Sequence, residues 1–327
     1  MYRIIGIVSA ACLFSITMGS VGYAQYDWRQ ILTDAKSGKI YEGINLSKQD
    51  FRELHIPLEH DEDLSLMPAV CFRNVDFSDG DFVRANLEGA SFENCDFTRA
   101  DLTHTKLGGG NQVRAFSPGC DFTDAEIQGA NIYLDVKQLQ STATYKRKDL
   151  NGMRFAPVNY GNLSFAGFNL TRCTFISDSQ LANCDFTDAC IAGLRVIAYS
   201  GSLAHDGFRR STIAGARLRG TYLKIEQLLV TKDFKTGIVR GLRVDNLVFP
   251  NSVVDLSNMV FTDCCFAVPT PAKVDLTGSV IVECDFRDFD GLTLENIKST
   301  WNYKYGRMKG IALPEEIQKA LDAEKEK

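Results

Sequence analysis

A repeating all-β fold is what this sequence predicts, and two observations predict it. From Phe72 to Leu107 a large apolar residue recurs every five positions: Phe72, Phe77, Phe82, Leu87, Phe92, Phe97, Leu102 and Leu107. Two residues before each stand Val70, Val75, Gly80, Ala85, Ala90, Cys95, Ala100 and Thr105, most of them small. Helices repeat every 3.6 residues and strands every 2, so a period of five is neither alone. In a short extended side, residues two apart share a face, so the large and small residue point inward and the other three face water.

The chain has 327 residues and a 45% hydrophobic composition, enough for a sizeable core. Its first segment reads as a secretory leader over 1–24: Arg3, an apolar run from Ile4 to Met18, and small residues at Gly22 and Ala24. That run is shorter than the roughly 20 residues a spanning helix needs, which argues against an uncleaved anchor, and no later stretch could span a membrane, so no integral segment is expected after cleavage. The expected location is outside the cytoplasm: periplasmic, cell-surface or secreted. Residues 25–69 form an entry or cap segment, and the repeats begin at 70.

The stretch "ANLEGASFENCDFTRADL" carries Asp or Asn just before the large residue, and Asp76, Asp81, Asn86, Asp96 and Asp101 do so across the run. It resembles the tandem pentapeptide-repeat family, whose consensus is A-(D/N)-L-x-x. That resemblance implies an all-β solenoid, a right-handed quadrilateral β-helix in which one pentad makes a side and four make a coil. The signature returns at Phe122, Ile127 and Ile132, then from Leu150 to Ile191, from Ile213 to Leu223 and from Leu256 to Phe286. The expected solenoid therefore covers 70–313. Leu163 and Phe168 occupy small positions, which predicts distorted coils there.

A longer element recurs between the pentad blocks: "QLQSTATYKRKDLNGMRF" at 138–155, "QLLVTKDFKTGIVRGLRV" at 227–244 and "NIKSTWNYKYGRMKGIAL" at 296–313. A shortened copy occupies Gln30–Leu46. Its apolar spacing predicts one or two helical turns and its glycine a return to strand. These elements are expected as corner insertions or as covers for open coil ends, which solenoids must cap. Pro314 followed by Glu315, Ile317, Ala320 and Leu321 predicts a short amphipathic C-terminal helix over 314–327.

Nine cysteines follow the leader. Cys95, Cys120, Cys173, Cys184, Cys264 and Cys284 take the small inward position and should pack as small hydrophobes. Cys71, Cys190 and Cys265 should face outward. No convergent catalytic set is visible. His55, His60, His104 and His205 make no HExxH or HxH spacing, and the aspartates of "DFSDGD" are accounted for by pentad position. "HDED" at 60–63 reads as a solvated acidic loop, and Gly108–Gly110 as a turn. No enzyme, cofactor or metal is expected.

Charge is uneven. Residues 138–244 hold 15 Lys and Arg against 7 Asp and Glu, net +8, whereas 70–133 holds 5 against 10, net −5, and 245–327 holds 9 against 14, net −5. Arg195, Arg209, Arg210, Arg217 and Arg219 form the densest basic group, a candidate surface for an anionic polymer or lipid headgroups. The expected role is an exported, non-enzymatic scaffold binding a protein or anionic polymer, with no nucleic acid. Two alternatives stand beside it. The resemblance implies one: quinolone-resistance members of the family bind gyrase by mimicking DNA, which suits a cytoplasmic acidic chain. The other is an exported enzyme with its site in the irregular stretch Ile197–Ser211.

Overall fold

The computed structural model describes residues 39–52, 54–55, 70–88, 90–107, 119–155, 158–176, 181, 183–197, 207–219 and 223–325, with the side chains of 39, 197 and 219 left out. The leader, residues 60–63, Gly108–Gly110, residues 198–206 and most of 25–69 lie outside them, as does the first part of the shortened copy at 30–46. The fold divides into two compact units, 1–126 and 127–327.

In the first unit, β1 (Lys39–Glu42), β2 (Val70–Arg73) and β3 (Ala90–Glu93) form a parallel sheet. Phe72 lies in register with Phe92, Asp76 with Asp96, Asp81 with Asp101 and Asn86 with Lys106. All four offsets are twenty residues, so four five-residue sides make one coil, and the chain is a parallel four-sided β-solenoid. Large side chains stack rung on rung: Phe77 on Phe97 at 5.0 Å, and Phe97 on Phe122 at 5.1 Å. Phe97, Ala100 and Leu102 are fully buried. Rung-on-rung aromatic stacking adds about 0.5–1.5 kcal/mol per pair beyond the area removed from water.

The Asp or Asn before each large residue has a specific task. Its side-chain oxygen accepts the N–H two residues on, as Asp76 does from Ser78 (2.9 Å), Asp96 from Thr98 (2.8 Å) and Asp121 from Thr123 (2.8 Å). This Asx turn starts the corner. The corner closes with a left-handed residue two after the large one, as at Asp79 (φ 57°), Arg99 (φ 58°) and Asp124 (φ 58°).

The second unit is built alike. Its strands are β4 (Arg154–Phe155), β5 (Thr174–Phe175), β6 (Arg195–Ile197), β7 (Arg217–Arg219), β8 (Leu223–Lys224), β9 (Ile238–Arg240), β10 (Arg243–Val244), β11 (Leu247–Val248), β12 (Val254–Asp255), β13 (Val260–Thr262), β14 (Cys265–Phe266), β15 (Val274–Asp275) and β16 (Val280–Val282). All pairings are parallel, the longest sheet running β4-β5-β6-β7-β10-β14. The distortion expected at Leu163 and Phe168 does not occur. Both rungs keep their bonds, Asp185 N–H to Leu163 O at 3.2 Å and Cys190 N–H to Phe168 O at 2.8 Å. The Phe168 ring is accommodated by Tyr145, 4.8 Å away between centroids, and by the Lys148 ammonium over its face.

The long elements each fold as a pair of short helices: α1 (Val136–Ser141) with α2 (Ala143–Lys146), α3 (Ile225–Leu229) with α4 (Lys232–Thr236), and α5 (Leu294–Ser299) with α6 (Trp301–Lys304). Their recurring residues are caps. Gln138, Gln227 and Asn296 bend back to accept the N–H of Asp135, Lys224 and Thr293 at 2.8–3.0 Å. Thr142, Thr231 and Thr300 accept from Tyr145, Phe234 and Tyr303 and so start the second helix. Each pair lies between solenoid strands or sides, α3 and α4 for instance between β8 and β9. Where the strand carbonyl is displaced, a helix side chain accepts the rung N–H instead: Thr144 Oγ1 from Ile127 (2.8 Å), Asp233 Oδ2 from Ile213 (2.7 Å) and Asn302 Oδ1 from Ile281 (2.6 Å). Rung bonding then resumes, for example from Gly215 N–H to Arg240 O. Finally α7 (Glu315–Lys325) buries Ile317 and Leu321, and its Glu324 accepts from Tyr303 Oη at 3.1 Å.

Candidate functional site: an arginine column

The cysteines sort as the register predicts. The six inward ones are buried, and Cys71, Cys190 and Cys265 are half-buried. Inward thiols and hydroxyls also donate to a corner carbonyl of the preceding coil: Cys173 to Leu150 O (2.9 Å), Cys184 to Tyr160 O (3.1 Å), Thr105 to Phe82 O (2.8 Å) and Ser279 to Leu256 O (2.8 Å). Burial pushes the Cys173 and Cys184 thiols up to about 12. These are structural groups, far from the thiolate state that nucleophilic or metal chemistry requires. Among the described residues no cluster of His, Cys, Asp and Glu is arranged to hold a metal ion. No described helix is long and apolar enough to cross a membrane.

What the second unit does present is a line of arginines. The outward residue before each inward one on the six-stranded sheet reads, in rung order, Arg154, Thr174, Arg195, Arg217, Arg243 and Cys265, with Asn131 before and Asp285 after. The strands impose this alignment, because Phe155, Phe175, Val196, Leu218, Val244 and Phe266 turn inward at the next position. Adjacent rungs are about 4.8 Å apart, so Arg154 to Arg243 spans about 19 Å. Arg154, Arg195 and Arg217 are exposed, and among the described residues no carboxylate lies within ion-pair distance of them. Arg243 is held by Asp263 at 2.7 Å, which with Asp285 bounds the basic stretch.

The corner beside this column is unusually bare. Gly193, Gly215 and Gly241 stack in the left-handed position at φ 64–70°. A Cβ on Gly241 would come 3.1 Å from Gly215 Cα, and one on Gly215 would come 3.6 Å from Gly193 N. Arg172 (φ 58°) occupies the same corner one rung before Gly193, and Arg240 immediately precedes Gly241. The arginines therefore rise beside a half-exposed ridge of glycine backbone.

Of the five arginines singled out by sequence, the structure brings together Arg195 and Arg217. Arg219 lies on β7 with Arg217 and pairs through its backbone with Ile197. Arg209 and Arg210 stand on a different side, at the turn following Phe208, which stacks on Phe186. Arg210 is bound to Asp188, Nε to Oδ1 at 2.7 Å, and holds that carboxyl below the usual range. Arg154, Arg172, Arg240 and Arg243 join the group in their place. Their offsets conceal them in sequence: Arg154 to Thr174 is twenty residues, but Arg217 to Arg243 is twenty-six because α3 and α4 intervene.

The family model described as "Pentapeptide repeats" matches residues 71–109 in eight copies. No curated protein matches the chain. Among solved structures, it is similar to HetL, a pentapeptide repeat protein involved in heterocyst differentiation regulation from the cyanobacterium Nostoc, at 13% identity, covering 80% of this chain and 93% of that one with a TM-score of 0.23. It is also similar to QnrB1, a plasmid-mediated fluoroquinolone resistance protein, at 14% identity, covering 88% and 98% with a TM-score of 0.22. At such values the likeness carries nothing about partner or chemistry.

Proposed function

Taking these pentapeptide repeats as the premise, we propose that the protein is a non-enzymatic, exported interaction scaffold, which holds a protein or an anionic polymer on its β-helical surface. The observation that supports this reading is the arginine column. Like charges on neighbouring strands oppose folding, and three rungs of exposed arginine without described carboxylates form a site of positive potential. One further feature fits: the inward thiols and hydroxyls are committed to the core.

The test is a pull-down from the exported fraction using the full chain and a variant carrying Arg195→Glu, Arg217→Glu and Arg154→Glu. Loss of a specific partner in the variant supports the reading. Retention of every partner sinks it.

One observation favours a second reading, an acidic mimic of DNA that binds a DNA-handling enzyme such as gyrase. In the first unit two outward columns are acidic, Asp76-Asp96-Asp121 and Asp81-Asp101-Glu126. That reading requires the protein in the cytoplasm with its leader intact, which mass spectrometry of the cell fractions decides.

A further inference from the structure

We propose that the arginine column and its glycine corner bind a linear acidic polysaccharide, a chain of sugar rings bearing carboxylate or sulfate groups, laid along the rungs. This rests on the scaffold reading above and names the partner's chemistry.

Three features of the surface select that class. The cations lie in a straight line fixed by strand register, with guanidinium groups at successive rungs β6, β7 and β10 and a further one at β4. A partner must therefore repeat its anions along an extended chain, whereas a folded acidic protein scatters them. Arginine's planar fork takes carboxylate or sulfate oxygens in pairs, a geometry a lysine column would lack. Sugar rings carrying an acid group on each ring, or on alternate rings, repeat on the scale of one or two rungs.

The corner supplies the second feature. With glycine at 193, 215 and 241 the corner positions beside Arg195, Arg217 and Arg243 carry no side chain of their own, so a flat, hydroxyl-rich ring approaches the backbone closely. Arg172 and Arg240 flank that opening with further positive charge. The third feature concerns stacking groups. Among the described residues of the column and of this corner none is aromatic. Single-stranded nucleic acid is held by aromatic platforms as well as by charge, and the described column and corner offer it the charge alone. The acidic residues Asp263 and Asp285 end the track, which limits the bound segment to about 19 Å, four rung spacings.

The experiment measures binding of the full chain to labelled polygalacturonate and to dextran sulfate, with neutral dextran and oligothymidylate as controls, across a salt series. Binding to either acidic polysaccharide that weakens with salt is expected, and which of the two binds tighter identifies the acid group. Arg195→Gln with Arg217→Gln should weaken it at least about tenfold and reduce the slope of log affinity against log salt by about two. Gly215→Asn leaves charge unchanged, and asparagine already occupies this left-handed corner position at Asn74 and Asn258. It should fold, as checked by circular dichroism, yet bind at least about threefold more weakly because its side chain fills the ridge. Binding to neither acidic polysaccharide overturns the proposal. So does binding unchanged in the double variant, or tighter binding to oligothymidylate. If those results coincide with an arginine-dependent protein partner in the pull-down, the polysaccharide assignment falls and the scaffold reading stands.

Discussion

Replacing Asn302 with alanine tests the account of the inserted helices directly. Asn302 is 3% exposed, and its amide replaces a missing strand neighbour. Oδ1 accepts from Ile281 N–H at 2.6 Å, while Nδ2 donates to Ile281 O at 2.7 Å and to Arg307 O at 2.9 Å. Alanine abandons all three. Each buried backbone group left without a partner costs about 1–3 kcal/mol, so the two buried Ile281 groups predict a loss of about 3 kcal/mol, to which the part-buried Arg307 carbonyl adds little. Because Asn302 closes the end of the β9-β13-β16 sheet, the loss should first appear as local opening. Hydrogen exchange should show Ile281 N–H protection reduced by about a hundredfold, the same free energy expressed as a ratio. Urea titration should register the wider loss. A cost below about 1 kcal/mol with Ile281 still protected would falsify the idea that this side chain stands in for a rung.

Four further outcomes follow from the same geometry. Phe97→Ala removes a fully buried ring stacked between Phe77 and Phe122, and should lower stability by about 3–5 kcal/mol in urea titration; a loss under about 1 kcal/mol contradicts the stacked core. Asp96→Ala deletes the acceptor of the Thr98 N–H and should cost about 1 kcal/mol, whereas Asp96→Asn keeps an acceptor and should cost less, so equal losses refute the Asx-turn role. With the native protein at pH 8, a thiol reagent should label Cys71, Cys190 and Cys265 and spare Cys173 and Cys184 until urea is added; rapid labelling of the latter two refutes their burial. The Arg287 guanidinium hydrogen-bonded to Asp285 holds its carboxyl below the usual range, so this pair's contribution is complete above about pH 4 and disappears as pH falls through the depressed value. NMR titration should place the Asp285 midpoint below that of a free aspartate and move it up in Arg287→Gln; an unmoved midpoint contradicts the cause.

The pentads were legible because one interaction decides them. A residue such as Phe97 must be large and Ala100 small for coils to stack, and no competing force acts on those positions. The sorting of nine thiols into six buried and three half-buried follows from the same register. The long elements were recognisable as repeats, but their placement was not, because it depends on which backbone N–H each helix satisfies. Thr144, Asp233 and Asn302 share that duty across three different side chains, so alignment by residue type passes over them. The same insertions hid the arginine column. Charge density joined Arg209 and Arg210 to Arg217 because they are near in sequence, while the fold sets them on another side and brings in Arg243 from twenty-six residues away.

The way a coil absorbs α3 and α4 also bears on how this chain can be altered. Ile213 hands its N–H to Asp233, Gly215 hands its own to Arg240, and between those two handovers the exposed Lys235 and Thr236 lie outside the stacking register, which resumes at Gly237, whose carbonyl accepts from Val260 N–H. Length is therefore uncounted at this point, as it is between β5 and β6 and between β6 and β7, where rung partners stand 21 and 22 residues apart and the later sides still keep register. The turn at Gly237, where an added Cβ meets nothing within 4 Å, is a natural socket: a foreign loop spliced there should be carried on the outside of the stack while the coils on either side keep time.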